Sequence, residues 1–320
     1  MPPTSTSAAQ SAYLSLRESE QWVRDNRPQN TGDAYRTYAD QFEAYAFHHG
    51  QVSVPAVPNT VANFLRHLYE DNGLAAQTIC RVARSAVGDL HRFRDESPHT
   101  HDLVKATCKV IAVKAKKSVR RTPIRTPVLK LLVATFDVFD LQELMGETML
   151  VFSFKGFLRS AECTGLGKDD VWLETITIQG VPQLVLFLFI EKSKVDQTRI
   201  GHTVVLGQDR ACPWKCPVRH FRALSKKRCP KAEAFFYDEA TSSRFPPKRV
   251  NMVLKEACAR AGIDAKLYTS HGLRAGGATE AAANGVRTRQ IMRHGNWKSS
   301  AVYIYIHDDV EQQLKVSLAF

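Results

Sequence analysis

A histidine, an arginine and a downstream tyrosine close to the C-terminus are the residues of this sequence best suited to chemistry. The chain reads His271-Gly-Leu-Arg274 and, further on, Trp297-Lys-Ser-Ser-Ala-Val-Tyr303-Ile-Tyr305. If the first run is helical, His271 and Arg274 lie one turn apart on the same face and can address one group. A tyrosine hydroxyl placed opposite them is a candidate nucleophile. This combination is suited to phosphoryl transfer onto the protein itself.

Two segments upstream supply further polar groups. In Arg159-Ser-Ala-Glu162, a helical conformation would place both side chains on one face, where the carboxylate could orient local hydrogen bonds. The run Lys192-Ser-Lys194 follows a strand-like segment and offers an amine that can protonate a leaving oxygen, because its pKa falls in a cationic, partly desolvated site. Each segment also has a simpler interpretation, a helical ion pair for the first and a solvated turn for the second.

Together, and in this order, these segments resemble the catalytic boxes of the tyrosine recombinases, also called phage-type integrases. The residues that the resemblance assigns to catalysis, with Glu162 as a supporting acid, are Arg159, Lys194, His271, Arg274, Trp297 and Tyr305. Tyr303 competes for the role of nucleophile and Lys192 for the role of mobile lysine. Tyr305 and Lys194 are preferred because they match the family's Tyr-Ile ending and its Ser-Lys-Thr-Asp turn.

The resemblance implies a site-specific DNA recombinase that cuts and rejoins strands through a 3′-phosphotyrosyl intermediate, without ATP, a metal or another cofactor. The Trp297-to-Tyr305 spacing and the run Arg274-Ala-Gly-Gly-Ala-Thr are similar to recombinases of mobile elements of the Crypton and DIRS-like kinds. Two alternatives stay open. A type IB topoisomerase uses a similar residue set to relax supercoils, and a domesticated relative could bind DNA without cleaving it.

The composition favours a polyanionic partner. The 320 residues include 44 Lys and Arg against 32 Asp and Glu, a formal net charge of +12. We therefore expect double-stranded DNA as the partner. No apolar run approaches the ~18 to 20 residues of a membrane span, and the first residues lack a secretory signal. These features predict an intracellular protein, in the nucleus of a eukaryotic host and otherwise in the cytoplasm.

The cysteines raise the question of a metal site. Seven scattered cysteines do not form the pattern of a disulfide framework. Cys212, Cys216, His220 and Cys229 could together supply zinc ligands. Cys216-Pro217 also has the pattern of a helix start, with proline in the first turn. We favour the helix and expect no metal.

The chain is predicted to contain two domains and a linker. Residues 1–10 are predicted to form a disordered tail, and residues 11–115 a helical, DNA-binding domain. Residues 116–127 are predicted to be a basic linker. Residues 128–320 are predicted to be the catalytic domain, which ends in a tail helix at 308–320.

The linker prediction rests on charge and on proline. From Lys105 to Lys130 there are nine Lys or Arg and no acid, while Pro123 and Pro127 stop any helix. The segment is either an exposed connection or one that follows DNA phosphates, and we favour the second. Its predicted contacts with DNA are made by Lys116, Lys117, Arg120, Arg121 and Arg125.

Hydrophobic periodicity predicts a fold that is mainly α with a small β-sheet. Helices are predicted at residues 33–50, 59–73, 78–94, 101–115, 129–139 and 147–157, and again from Pro217 to the end. Strands are predicted at Val171–Ile178, 184–190 and 203–206. The resemblance implies a helical core-binding (SAM-like) domain and an α+β tyrosine-recombinase catalytic domain that clamp the duplex like a C.

The resemblance also implies self-association into dimers and tetramers on DNA. Val310, Leu314 and Leu318 recur every four residues in the predicted tail helix. This apolar stripe is predicted to dock on a neighbouring subunit, as recombinase tails do. The alternative is that the stripe folds back on its own domain.

Overall fold

The computed structural model describes residues 16–26, 29–95, 97–115, 122–191, 200–307, 313–314 and 318. The chain forms two compact units, Met1–Ser118 and Val119–Phe320. The division falls inside the predicted linker, residues 116–127. None of the helices in the described parts of the chain is both long enough and apolar enough to cross a membrane.

The described residues of the first unit form helices and loops, with no strand among them. Its helices are α1 (Leu16–Asp25), α2 (Gln29–His48), α3 (Pro58–Glu70), α4 (Ala76–Thr78), a π-helical turn (Ile79–Ala83), α5 (Arg84–Leu90) and α6 (Asp102–Lys114). The apolar residues of α2 and α3 meet in a core that includes Phe42 and Phe64, whose rings pack edge to face at 5.2 Å. The four predicted helices correspond to α2, α3, the run from α4 to α5, and α6, whereas α1 was not predicted.

Two details of that prediction were wrong. The helix predicted at residues 59–73 begins at Pro58, after Val57 and with no side-chain cap, and ends at Glu70. Proline at the first helical position replaces the cap, because its fixed φ suits a helix start. The helix predicted to continue to Arg94 ends at Leu90.

The second unit combines helices with a small sheet. Its elements are α7 (Thr126–Val133), α8 (Leu141–Lys155), α9 (Ser160–Gly165), β1 (Val171–Ile178), β2 (Val181–Ile190), β3 (His202–Gly207), α10 (Pro217–Lys227), α11 (Lys248–Arg260), α12 (Ser270–Ala283) and α13 (Thr288–His294). A 3-10 helix, Ser300–Ile304, precedes Tyr305.

The sheet is antiparallel, with β2 between β1 and β3. Alternate residues of β2, such as Leu186 and Leu188, are buried in the main core, as period-two alternation requires. On the other face, Trp172 of β1 stacks on Phe187 at 5.3 Å. The sheet therefore covers one side of the helical core, and its β2–β3 hairpin carries the segment that contains Lys194.

Helix α8 lies at the centre of this unit. Every residue from 144 to 154 is buried, so the helix is enclosed on all sides by the rest of the unit. Asp140 caps it by accepting a hydrogen bond from the Glu143 N–H at 2.8 Å. The helix ends at Lys155, whereas the sequence predicted helix to Phe157. Phe157 instead has a φ of +51°, a conformation that ends the helix and turns the chain towards Arg159.

Most of the predicted tail helix lies outside the described residues, as does the predicted disordered tail, residues 1–10. Leu314 and Leu318 are described, and the Leu318 N–H donates to the Leu314 carbonyl at 2.9 Å, as in one helical turn. Their side chains are 50% and 79% exposed.

Candidate active site

Arg274 is the centre of the candidate site. It lies on α12 and is only 1% exposed. Its Nη1 donates to the Phe157 carbonyl, and its Nη2 donates to the Gly295 carbonyl at 2.6 Å. The guanidinium carbon lies 3.9 Å from the centre of the Trp297 ring. Backbone from two separate turns and an aromatic face therefore fix this guanidinium in one orientation.

Two neighbouring charges set the electrostatics of Arg274. Burial, together with the positive charge of Arg159, lowers the pKa of Arg274 to about 10, while Glu162 acts in the opposite direction. Arg274 therefore stays protonated at neutral pH. The Glu162 carboxylate, 3% exposed, lies 3.7 Å from Nη1 of Arg274 and also pairs with Arg159. One buried acid thus holds two arginines close together.

Arg159 pairs with Glu162, but not in the way that the sequence predicted. Arg159 has extended backbone geometry and occupies the position before the first residue of α9, so the two residues do not share a helical face. The Arg159 N–H donates to Glu162 Oε2 at 2.7 Å, and its Nη1 donates to Oε1. Glu162 therefore satisfies a free amide at the helix start and orients the guanidinium as well.

Trp297 is placed by a tight turn after α13. Gly295 lies beneath the indole, and a Cβ there would overlap the Trp297 ring. Asn296 has a φ of +50°, a conformation that asparagine tolerates better than most residues. Trp297 itself is 7% exposed, and its Nε1 has no hydrogen-bond partner among the described residues.

Of the two candidate tyrosines, Tyr305 is the one that lies against Arg274 and Trp297. Its ring centre is 5.1 Å from that of Trp297, and the Arg274 guanidinium carbon lies 5.5 Å from it. Thr279 of α12 holds the local backbone, since its hydroxyl donates to the Tyr305 carbonyl at 3.1 Å and accepts from the His307 N–H at 3.1 Å. Tyr303 is 64% exposed.

His271 completes the group near the N-terminus of α12. It is exposed, and its ring centre lies 6.1 Å from that of Tyr305. His271 and Arg274 therefore approach the Tyr305 ring from the same helix, as their spacing predicted.

Lys194 and its competitor Lys192 lie outside the described residues, as do Lys116, Lys117, Arg120 and Arg121. The base of the hairpin that carries Lys194 is described: Ile190 pairs with His202. His202 Nδ1 lies 3.1 Å from the Asn296 side-chain amide, so the hairpin base is joined to the Trp297 turn.

Comparison with known proteins identifies the family. Residues 124–312 match the model of the "Phage integrase family". The chain belongs to that family. It is also 27% identical to an "Integrase/recombinase xerD homolog" of Selenomonas ruminantium over 315 residues, which cover 93% of this chain and 86% of the relative. This integrase is a tyrosine recombinase, a DNA breaking and rejoining enzyme.

Solved structures share the fold of this integrase at low identity. The match to XerH recombinase bound to its palindromic difH substrate has 18% identity and a TM-score of 0.64. It covers 95% of this chain and 83% of the XerH chain. The Tn1549 transposon integrase with circular intermediate DNA is 12% identical with a TM-score of 0.65, covering 94% and 97%. A lambda integrase tetramer on a Holliday junction is 16% identical with a TM-score of 0.56, covering 92% and 76%. The predicted fold class is confirmed.

The integrase site contains two buried donors that no described protein group satisfies. Within the described residues, neither Nε of Arg274 nor Nε1 of Trp297 has a hydrogen-bond partner. A buried N–H without a partner costs about 1–3 kcal/mol, so an anion that accepted both would recover this energy. Both side chains lie against Tyr305. The arrangement is therefore suited to holding a phosphate beside a tyrosine hydroxyl.

The candidate zinc ligands of the integrase are used differently. His220 Nδ1 lies 2.8 Å from the Cys216 carbonyl, and its Nε2 lies 3.0 Å from the buried Glu147 carboxylate. Pro217 begins α10, which was the favoured interpretation. In the described residues, no three His, Cys, Asp or Glu side chains form a group that could hold a metal ion.

Sequence reasoning missed a second cationic region of the integrase on α10. Arg219, Arg222 and Lys226 form what we call the α10 cationic face; all three are exposed and have no ion-pair partner among the described residues. They line a groove of about 490 Å³. The signal was available, because residues 210–228 contain seven Lys or Arg and no acid.

Proposed function

We propose that this integrase performs site-specific recombination with Tyr305 as its nucleophile. The Tyr305 hydroxyl gives its proton to solvent water, and its oxygen bonds to the phosphorus of a phosphodiester. The bond from phosphorus to the 5′ oxygen breaks, and Lys194 protonates that oxygen. The product is a 3′-phosphotyrosyl bond and a free 5′-hydroxyl, which allows rejoining to another strand without ATP or a metal.

The observation that carries this proposal is the pair of unsatisfied donors beside Tyr305. Arg274 Nε and Trp297 Nε1 are buried and unpartnered among the described residues. Together with Arg159 and His271, they can donate to non-bridging phosphate oxygens. These oxygens gain negative charge in the pentavalent transition state, where fixed donors in a desolvated site stabilise it most.

The same arrangement gives Glu162 a supporting role. It is nearly fully buried between Arg159 and Arg274, so two positive charges are held close together at the cost of one negative charge. A net positive site remains for the phosphate. Glu162 therefore fixes the two guanidiniums without cancelling their attraction for the anion.

We further propose that the enzyme serves a mobile element. The basis is the Trp297-to-Tyr305 spacing and the glycine-rich run after Arg274, which are similar to Crypton- and DIRS-like recombinases. The proteins named above are of other kinds, namely an xerD homolog, XerH, a transposon integrase and lambda integrase. The Crypton or DIRS-like subtype therefore stays a prediction from sequence.

DNA engagement is proposed to involve both units, the basic linker and assembly into dimers and tetramers. Residues 116–127, with five Lys or Arg and no acid, supply positive charge for phosphates whatever the base sequence. Docking of Val310, Leu314 and Leu318 on a neighbour would contribute about 1.5–3 kcal/mol for each buried side chain. Deletion of residues 308–320 should leave single-site binding intact and abolish four-subunit complexes on paired sites. Analytical ultracentrifugation measures this, and equal complex populations would contradict the role of the tail.

Covalent trapping tests the proposed reaction. The full-length enzyme is incubated with a pool of nicked suicide duplexes in EDTA, and SDS-resistant adducts are recovered and their DNA is sequenced. We expect adducts with wild type and with Tyr303→Phe, and none with Tyr305→Phe, which removes only one hydroxyl. Adducts that persist in Tyr305→Phe and vanish in Tyr303→Phe would assign the nucleophile to Tyr303. Loss of wild-type adducts in EDTA would contradict the metal-free mechanism.

A further inference from the structure

Tyr305 follows a short turn at the protein surface. Tyr303 and Ile304, which precede it, have exposed side chains. Val302 is fully buried, and its carbonyl accepts from the Tyr305 N–H at 2.9 Å, so it anchors the segment on the N-terminal side. One anchor leaves the segment free to pivot. A second contact on the C-terminal side is therefore required to fix the direction in which the Tyr305 side chain leaves the backbone.

Thr279 of α12 supplies that second contact. Thr279 is fully buried, and its hydroxyl donates to the Tyr305 carbonyl at 3.1 Å and accepts from the His307 N–H at 3.1 Å. The hydroxyl therefore uses its hydrogen and one lone pair on two backbone groups that flank Ile306. Two bonds to one oxygen fix the orientation of this backbone as well as its distance from α12.

Helix α12 also carries a donor of the candidate phosphate site. Arg274 lies five residues before Thr279, which corresponds to about 7.5 Å along the axis of an α-helix. The helix backbone lies directly against the end of α8, because a Cβ on Gly277 would overlap the Phe154 carbonyl. This close packing leaves α12 little room to move. The helix therefore holds the Arg274 guanidinium and the Tyr305 backbone in one frame.

We propose that Thr279 is a positioning residue that aims the Tyr305 hydroxyl at the phosphorus. Its own hydroxyl is occupied by backbone groups, so it acts through the backbone of Tyr305 and not on the phosphate. A nucleophile reacts from a narrow range of distances and directions, and a misplacement of about 1 Å can cost about a hundredfold in rate. The inference rests on the proposed role of Tyr305 as nucleophile.

Two substitutions at Thr279 separate the hydroxyl from the shape of the side chain. Thr279→Val keeps the branched shape and removes the hydroxyl, whereas Thr279→Ser keeps the hydroxyl and removes a methyl group. Single-turnover cleavage of a nicked suicide duplex is measured with saturating full-length enzyme, alongside the apparent Kd and the melting temperature. We expect Thr279→Val to slow cleavage about tenfold to a hundredfold with Kd nearly unchanged, because the phosphate-binding donors stay in place. Thr279→Ser should cleave at close to the wild-type rate.

Thr148 provides a matched control in the same unit. It is also fully buried, and its hydroxyl donates to the Leu144 carbonyl at 2.7 Å within α8. Thr148→Val therefore removes a buried hydroxyl but no contact of the Tyr305 segment. We expect this variant to lower the melting temperature about as much as Thr279→Val does and to leave the cleavage rate unchanged.

Three results would overturn the inference. The first is a wild-type cleavage rate in folded Thr279→Val, and the second is an equal loss of rate in Thr148→Val. The third is a rate for Thr279→Ser as low as that of Thr279→Val, which would assign the effect to shape. Should Thr279→Val fail to fold, Thr279→Ala takes its place, and failure of both to fold would make the role of Thr279 structural and also overturn the inference. A wild-type enzyme that forms no adduct at all would instead contradict the proposed function.

Discussion

The second unit holds positive charge in two contrasting ways. Arg274 is 1% exposed, with two of its nitrogens bonded to carbonyls and an aromatic ring against its face. The α10 cationic face presents Arg219, Arg222 and Lys226 to solvent without a described ion-pair partner. Buried charge interacts strongly and at fixed geometry, whereas exposed charge is screened by salt and free to move. The first is suited to stabilising a transition state and the second to capturing a polyanion.

Two neighbouring cations at the C-terminal end of α10 are bonded within the protein. Lys227 donates to the Phe139 carbonyl at 2.7 Å, and Arg228 Nη2 donates to the carbonyls of Ala232 and Ala234 at 3.0 and 2.9 Å. These two cations fasten loops of the protein. Lys226, beside them in sequence, makes no such bond to any described residue. Residue type and spacing alone therefore do not separate a structural cation from one available to a ligand.

The largest effect on the cleavage rate is expected from substitution of Arg274 and Arg159. Arg274→Ala and Arg159→Ala should each slow cleavage about a hundredfold or more, because each removes a charged donor aimed at the transition state. DNA binding should change little. Cleavage kinetics on a nicked suicide substrate measure the effect, with melting curves as a control, since Arg274→Ala leaves the Phe157 and Gly295 carbonyls unpaired. Near-normal rates in both folded variants would make these arginines structural.

A smaller effect is expected from Trp297→Phe. The substitution retains an aromatic face for Arg274 but removes the Nε1 donor, so it tests the unsatisfied N–H separately from stacking. Loss of one donor to a developing oxyanion should slow cleavage by about tenfold to a hundredfold. If Trp297→Phe cleaves like wild type while Trp297→Ala is inactive, the ring acts by packing and its N–H does not reach the phosphate.

The smallest effect on chemistry is expected from the exposed cations. Gln at Arg219, Arg222 and Lys226, or in a separate variant at Lys116, Lys117, Arg120 and Arg121, should weaken binding to all sequences alike. The log–log slope of affinity against salt should fall by up to about one unit for each DNA phosphate that the variant no longer neutralises, with the cleavage rate at saturation unchanged. Lys227→Gln is the control, because its cation is used within the protein. If either set of substitutions leaves the wild-type slope, the residues in that set are solvated surface and do not contact DNA phosphates.

Elements with strong local patterns could be predicted from the sequence. Strand β1 has the predicted bounds, Val171–Ile178, because its β-branched residues end at Gln179-Gly180, where both φ values are positive. The His271-to-Arg274 spacing likewise predicted two side chains that converge near Tyr305. In each case the information lies within a few residues along the chain.

The rest depends on contacts between distant residues. The positive φ of Phe157, which ended α8 earlier than predicted, places the carbonyl that accepts from Arg274, 117 residues away. Arg125 meets Glu280 across 155 residues. The Arg159–Glu162 pair was predicted with the wrong geometry, because a local pattern does not show that the helix begins after Arg159. No periodicity encodes these tertiary constraints.

The most direct test of the account locates the covalent bond. An adduct trapped on a suicide duplex is digested with nuclease and protease, and the modified peptide is fragmented in a mass spectrometer. The account predicts a nucleotide remnant on Tyr305, the tyrosine held against Arg274 and Trp297. A remnant on Tyr303, or on any residue outside this cluster, would contradict it.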